Sequence, residues 1–320
     1  MIKPDQTDHI IVIGGANADI TGIATAAYSE TESNIGKLTV GAGGVGRNIA
    51  DNFARLARDS DIKTYFLSAL GTDIYGDMIL AASQQAGIDM RHCQIVPDQA
   101  TATYLSIIDD KGEMRSAIND MSIVKHINID YLKQHDKLLN QAKLIIFDAN
   151  LNQQTIDYIC QNFNHIAIFA DSVSNAKADK LNQNLNHIHT LSPNKNEAFA
   201  LTGINPTNAN ELCKMAKIFH HQGLKNIFIT LGSNGVFSST NISGQPQMHQ
   251  ADALAVKPKN ANGAGDAFLA GLAFAWLQKL DPESQVYFAQ KCACLALESE
   301  FTINPTLCLQ KVLDYTETKL

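Results

Sequence analysis

The stretch Asn262-Gly263-Ala264-Gly265-Asp266-Ala267-Phe268 runs a glycine-rich turn straight into an apolar-periodic segment with an acid at its start. Phe268, Leu272, Trp276 and Leu280 recur four apart, with Leu269 and Ala273 beside them, which predicts a helix from about Asp266 laying one apolar stripe on a core. The glycines then lie just outside the helix, where a backbone without Cβ atoms lets a ligand approach. The first N–H groups of a helix have no internal partner and sit at the positive end of its dipole. An oxyanion or phosphoryl group would therefore fit on Gly263, Ala264 and Gly265. The same field stabilises Asp266 as its anion. A carboxylate beside an anion cradle can take a proton from a hydroxyl while the cradle holds the group in transfer. An ordinary helix start with Asp in its first turn fits the same residues, and the loop alone does not decide.

Such a loop needs elements that bring partners to it. His9-Ile10-Ile11-Val12-Ile13-Gly14-Gly15 is a short β-branched run ended by glycines, the pattern of a buried parallel strand. Asn17 and Asp19 follow at its carboxyl end, the edge where open α/β sheets gather ligands. They are suited to gripping substrate hydroxyls, and equally to capping a turn. The polar, broken segment 21–40 reads as an excursion from the main sheet. It leads into Gly41-Ala42-Gly43-Gly44-Val45-Gly46-Arg47-Asn48, a second glycine-rich turn feeding a helix marked by Ile49, Phe53 and Leu56. The spaced glycines of a dinucleotide fingerprint do not follow the first strand, and the Gly-Lys-Ser/Thr of a P-loop is missing.

Residues 63–71 read as a further strand and 76–87 as a short helix. The arms 101–108 and 113–118, around Asp109-Asp110-Lys111-Gly112, read as a half-polar hairpin. Paired with the segment around 20–42, this hairpin would make a small sheet outside the main domain, able to cover a substrate. In the second half, strands at 143–148, 165–171, 187–191 and 226–231 alternate with helical segments such as 208–222. That alternation implies parallel βαβ units in a sheet covered on both faces. Residues 282–320 read as mainly helical, with Phe288, Cys292 and Leu295 inward.

A chain of 320 residues, 45% hydrophobic and 18% charged, has the make-up of a globular protein with a large core. Its net charge of −7 gives no support to a nucleic-acid or membrane-surface partner. The six cysteines lack metal-finger spacing and read as buried thiols. The opening Met-Ile-Lys-Pro-Asp-Gln has no signal-peptide pattern, so a cytoplasmic location is expected.

Several of these stretches together resemble the PfkB-type ribokinase superfamily of sugar and nucleoside kinases. Gly14-Gly15-Ala16-Asn17-Ala18-Asp19 is similar to its N-terminal substrate motif, Gly43 to Asn48 to its first signature, and Asn262 to Phe268 to its second. Asn194-Lys195-Asn196-Glu197 resembles its Asn-x-x-Glu motif, and Thr230-Leu231-Gly232-Ser233-Asn234-Gly235 its nucleotide loop. The resemblance spans essentially the whole chain and implies one kinase domain over 1–320. Its fold would be a ribokinase-like three-layer α/β sandwich with a mostly parallel central sheet and a β lid from about 20–42 and 100–121. It further implies ATP as donor, Asp266 as base, and an anion hole from Gly263, Ala264 and Gly265. Asn17, Asp19, Gly43, Gly44 and Asn48 would hold the acceptor. Asn194, Thr230, Gly232 and Gly235 would line the nucleotide site, and Glu197 would organise Mg²⁺ through water. Asn262 stands where the family commonly has Thr. The backbone cradle survives that exchange, but the expectation of a K⁺ site built from this loop is weakened.

Within the superfamily, Ser33 to Lys37, Gly44 to Ala50, Ala117 to Met121, Asp171 to Ser174 with Lys177, and His187 to Leu191 resemble the pseudouridine-kinase subgroup. The resemblance implies phosphorylation of the 5′-hydroxyl of pseudouridine and a base-recognition surface on these stretches. Asn119 or Met121 would meet the base, and Lys177 would donate to a pyrimidine carbonyl. Lid packing for Met121 and a solvated surface lysine for Lys177 are the competing readings. His187 and His189 read as strand residues. A ribokinase-like or fructokinase-like acceptor, or a non-catalytic nucleoside-binding regulator, are the alternatives. A homodimer through the lid is the expected assembly.

Overall fold

All five residues of β1 (His9–Ile13) are buried; Ile10 and Val12 face one side and Ile11 and Ile13 the other. A strand without a polar face belongs in the middle of a sheet covered on both sides. In chain order follow β2 (Asn17–Ala24), β3 (Gly36–Gly43), β4 (Lys63–Leu67), β5 (Ala69–Gly71), β6 (Ile88–Asp89), β7 (Gln94–Val96), β8 (Thr103–Ile108) and β9 (Met114–Asp120). The second half adds β10 (Leu144–Asp148), β11 (Ala167–Asp171), β12 (Thr190–Leu191), β13 (Asn226–Thr230), β14 (Val236–Ile242) and β15 (Gln245–Ala251). This computed structural model describes residues 8–316. The N-terminal hexapeptide and the last four residues of the 282–320 segment lie outside them.

Nine strands form the large sheet, in the order β15-β14-β13-β12-β11-β10-β1-β4-β6. From β13 to β6 they run parallel, and β14 and β15 close one edge as an antiparallel hairpin. The longer helices are α1 (Val45–Leu56), α2 (Ile74–Ala86), α3 (Gln153–Asn162), α4 (Lys195–Thr202), α5 (Ala209–His221), α6 (Ala264–Leu277) and α7 (Pro282–Leu297). On one face Phe147, Ile156, Ile168 and Phe219 pack with Ile11 and Ile13; on the other Phe53, Phe66, Phe268 and Leu272 pack with Ile10 and Val12. The result is the three-layer α/β sandwich, with a mostly parallel central sheet, that the alternation predicts.

A second sheet has the order β3-β2-β8-β9. Its register puts Asp19, Gly41, Tyr104 and Asn119 in one row, and Ile20, Val40, Leu105 and Ile118 in the next, on the opposite face. Leu38, Val40 and Ile118 are exposed.

Four local expectations change. Helix α6 starts at Ala264, two residues earlier than expected, and is buried on all sides from Ala267 to Ala275 because it is packed between α1 and α7. Leu280 lies past its end, since Lys279 takes a left-handed φ of 60° and Pro282 restricts the residue before it. The 63–71 run is two strands. Fully buried Ser68 donates to the Gly14 carbonyl at 2.7 Å, and beyond it β5 leaves to pair with β7. Only Thr190–Leu191 of the 187–191 run is a strand. Leu181 and Leu185, four apart, bury themselves in helical turns over 179–187, so His187 and His189 are not strand residues. His189 instead stacks on Phe169, with ring planes 4° apart.

Candidate active site

Two glycine-started helices meet at the carboxyl edge of β1. Gly263 caps α6 at φ 80°, and a Cβ there would lie 2.1 Å from the Thr302 carbonyl oxygen. Ala264 and Gly265 are thus the first helical residues, not residues outside the helix, and their N–H groups have no intrahelical acceptor. Beside Gly265 the space is open for 4 Å. Half-buried Asp266 follows, and its Oδ2 accepts from Asn48 Nδ2 at 2.8 Å. Asn48 sits in the first turn of α1, whose N-cap Gly44 has φ 98°. Its Oδ1 is buried and has no partner in the protein. Burial raises Asp266 to about 7; the Asn48 hydrogen bond works against this, and the carboxylates of Asp148, Asp19 and Glu197 add to it.

Asp19 and Asn17 lie on β2, in the small sheet, rather than in a turn after β1. Asn17 Nδ2 donates to Asp19 Oδ1 at 2.6 Å, and a Cβ at Gly43 would fall 2.1 Å from Asp19 Oδ2. The carboxylate therefore rests directly on the glycine of the next strand. Burial raises Asp19, while Asn17 and the charge of Arg47 oppose the rise.

Asp148, at the end of β10, was not singled out from the sequence and ties the site together. It is fully buried; Oδ2 accepts from the N–H of Gly15 at 2.9 Å and of Gly46 at 2.7 Å, and Oδ1 from that of Asn150 at 2.8 Å. One side chain thus pins both glycine turns to the central strand. Asp171, ending β11, was named from the sequence only as part of the Asp171-to-Ser174 stretch. Burial and the nearby Asp266 and Glu197 push it well above the usual carboxylate range. The turn after it places Val173 at φ 63°, a left-handed conformation uncommon for a β-branched residue.

On the other side, Asn194 caps α4, accepting from the N–H of Asn196 and Glu197 at 2.9 and 3.0 Å. Glu197 returns the bond as a capping box, with Oε2 at 2.9 Å from Asn194 N and Oε1 at 2.7 Å from its Nδ2. Fully buried Ser172 also donates to Glu197 Oε2, at 2.8 Å. Thr230 pairs with Asn194 across a β-bridge and starts a loop in which Gly232 and Gly235 take φ 61° and 83°. Gly235 abuts Ala251, and beside Ala251–Leu254 a cavity of about 780 Å³ runs along α7 past Tyr287 and Gln290. The carboxylates of Asp148, Asp19 and Glu197 thus raise Asp266, and those of Asp266, Glu197 and Asp148 raise Asp171, a gathering of negative charge that suits a cation. Among the described residues no three His, Cys, Asp or Glu side chains converge to ligate an ion directly, so the donor set fits a cation held through water and phosphate oxygens.

The remaining sequence-named residues fall into two places. Lys177, on the short helix Asn175–Ala178, donates to Asn150 Oδ1 at 2.5 Å. A Cβ on Gly15 would meet the Met121 Cε at 2.7 Å and Asn150 Nδ2 at 3.1 Å, so Met121, Asn150 and Lys177 gather over Gly15. Asn119 stands apart on exposed β9, on the same face of the small sheet as Asp19. Asn150 carried no sequence signal beyond following a strand.

Similarity to known proteins extends over nearly the whole chain. The model of the pfkB family carbohydrate kinases matches residues 7–307. The chain is 38% identical to the pseudouridine kinase of Escherichia coli K12, over 98% of this chain and 97% of that one. It is 32% identical to an uncharacterized sugar kinase of the same bacterium, over 96% and 83%. Among solved structures, a carbohydrate kinase from Agrobacterium tumefaciens superposes with TM-score 0.78 at 25% identity, covering 96% of each chain. The ribokinase of Arabidopsis thaliana, complexed with ribose and ATP, superposes with TM-score 0.82 at 22% identity, covering 97% of this chain and 99% of its own, and shares the fold. The chain belongs to the pfkB family of carbohydrate kinases and has its ribokinase-like fold.

Proposed function

We propose that this kinase transfers the γ-phosphoryl group of ATP to the 5′-hydroxyl of pseudouridine. The observation that carries the chemistry is the Asn48–Asp266 pair. Asn48 Nδ2 orients the carboxylate, and its buried, unpartnered Oδ1 is placed to accept from a second hydroxyl of the acceptor. Asp266 takes the proton of the 5′-hydroxyl. The free N–H groups of Gly263, Ala264 and Gly265 hold the phosphoryl oxygens as charge develops. Asn17, Asp19, Gly43 and Gly44 grip the ribose hydroxyls, Asp19 from its seat on Gly43. Asn194, Thr230, Gly232 and Gly235 face the nucleotide, whose base extends into the cavity beyond Ala251. Mg²⁺, when bound with ATP, neutralises phosphate charge, and Glu197 orients its water shell.

The base reading rests on Met121, Asn150 and Lys177 over Gly15. An ammonium and an amide there suit the carbonyl edge of a pyrimidine, with Met121 against its face. Asn119 supplies an amide acceptor for the ring N–H that pseudouridine presents and uridine lacks. The 38% identity to a pseudouridine kinase supports the same acceptor. Six free thiols fit a reducing, cytoplasmic setting, and no described helix is long and apolar enough to cross a membrane. We read the small sheet, β2, β3, β8 and β9, as a lid over the acceptor, within one kinase domain. We assign its outward row of Ile20, Val40, Leu105 and Ile118, which carries no charge, to a two-fold contact with a second copy. A K⁺ requirement forms no part of this reading.

A panel of pseudouridine, uridine, adenosine, ribose and fructose with ATP and Mg²⁺ tests the assignment. Pseudouridine is expected to give the highest kcat/KM. Good turnover of another acceptor with none of pseudouridine would retain the kinase and reject the substrate; the 32% identity to a sugar kinase makes a sugar the rival acceptor.

A further inference from the structure

Arg47 has no part in the reading above, yet its position in the molecule is unusual. It is 4% exposed. Its Nη1 donates to the Ala42 carbonyl at 3.0 Å, Nη2 to Asp51 Oδ2 at 2.6 Å, and Nε points at Ser83 Oγ at 3.5 Å. Asp51 is fully buried, and its other oxygen takes Arg55, which in turn reaches the Pro305 carbonyl. Helices α1 and α2 thus hold the Arg47 cation against the last residues of β3, while Arg55, on the same carboxylate, reaches the chain beyond α7. A guanidinium is costly to bury unless its fork is filled, so the donor spent on Ala42 fixes that carbonyl as firmly as Asp51 fixes the charge. Ala42 is followed by Gly43, the seat of Asp19, and by Gly44, the cap of α1. The backbone N–H of Arg47 also donates to the Gly15 carbonyl at 3.1 Å, so the residue touches both glycine turns.

We propose that Arg47 is a positioning residue for the acceptor: by tying the Ala42 carbonyl to Asp51 and Ser83, it holds Gly43 beneath the Asp19 carboxylate and fixes the joint between the small sheet and α1. An arginine that only packed helices together would need Asp51 and Ser83 but not the carbonyl of a glycine loop. The charge of Arg47 also favours the ionised form of Asp19 against the effect of burial. The proposal rests on the reading of Asp19 and Gly43 as the acceptor grip.

The test compares wild type with Arg47→Lys and Arg47→Gln. Lysine keeps the charge, but a single ammonium cannot span three acceptors set in a fork. In each variant that unfolds cooperatively, the acceptor KM is expected to rise about tenfold or more while the ATP KM stays within about twofold. Amide exchange is expected to accelerate at Ala42–Gly46 and not in α6. An unchanged acceptor KM in a folded variant would overturn the proposal. So would a parallel rise of both KM values with faster exchange throughout α1 and α6. If the glutamine variant does not fold, the lysine variant decides. Should the wild type phosphorylate no acceptor, the functional reading fails, and the exchange pattern alone judges the clamp: local acceleration upholds it, and unchanged or global exchange refutes it.

Discussion

At the scale of single residues, the chemistry turns on an acid placed where two opposing effects meet. The N-terminus of α6 favours the Asp266 anion, yet burial and three neighbouring acids hold its proton to about 7. A base must be deprotonated to act, so kcat/KM for the acceptor should fall as pH drops below about 7, about tenfold per unit, which a pH–rate profile of the purified enzyme would show. Asp266→Asn removes the proton acceptor but little volume. Its kcat should drop by about 10³ while calorimetry still registers ATP binding, and near-normal turnover would remove Asp266 from the mechanism. The same pKa makes a stability statement. A carboxyl raised in the folded state from 3.8 to about 7 favours folding below its unfolded value, and that contribution is lost as pH rises through the folded one. The ligand-free Asn variant should therefore match wild type in urea at pH 4 and exceed it at pH 8.

At the scale of elements, Asp148 binds parts that the chain keeps far apart. Asp148→Ala would leave the buried N–H groups of Gly15 and Gly46, and the half-buried one of Asn150, without their acceptor, at a cost of about 3 kcal/mol. Urea unfolding should show that loss, and a change under about 1 kcal/mol would mean the turns hold themselves. The contrast with the glycine turns explains what the sequence disclosed. Gly14-Gly15 and the glycines of 41–46 announce themselves because close approach requires glycine and the residues are contiguous. Asp148 is an acid closing an apolar strand, a common occurrence, and its partners Gly15 and Gly46 lie 133 and 102 residues away. Arg47 and Asp51 stand at i, i+4, a spacing common to ion pairs on solvated helix faces, and only the fold shows that they are buried. The β14–β15 hairpin went unread for another reason: β15, Gln-Pro-Gln-Met-His-Gln-Ala, is an exposed edge strand without apolar alternation.

At the scale of the molecule, the parallel sandwich was legible because βαβ alternation is a pattern of many residues, each adding a little. The small sheet was legible as the 101–118 hairpin paired with the segment around 20–42, but its strand order β3-β2-β8-β9 was not. Val40 and Ile118 of its outward apolar row are exposed, which leads to a prediction on assembly. Leu38→Glu, at an exposed position beside that row, should convert a dimer into a monomer in sedimentation, and a wild type already monomeric would refute the two-fold contact. All four strands of that sheet join the main body at one end, where Asn17 pairs with Gly43, Ala18 with Thr103, and Thr103 with Asp120. Their far ends, Ala24, Gly36, Ile108 and Met114, are free of the large sheet. If the lid proposed above swings about that row, lever arithmetic applies. With a rise of about 3.3 Å per residue the tip stands roughly 20 Å from the row and Asp19 about 7 Å, so a swing of about 5 Å at the tip shifts Asp19 by under 2 Å. Such a swing would open the entrance wide while leaving the grip nearly set, and a reporter attached at the 109–113 turn would read the full stroke.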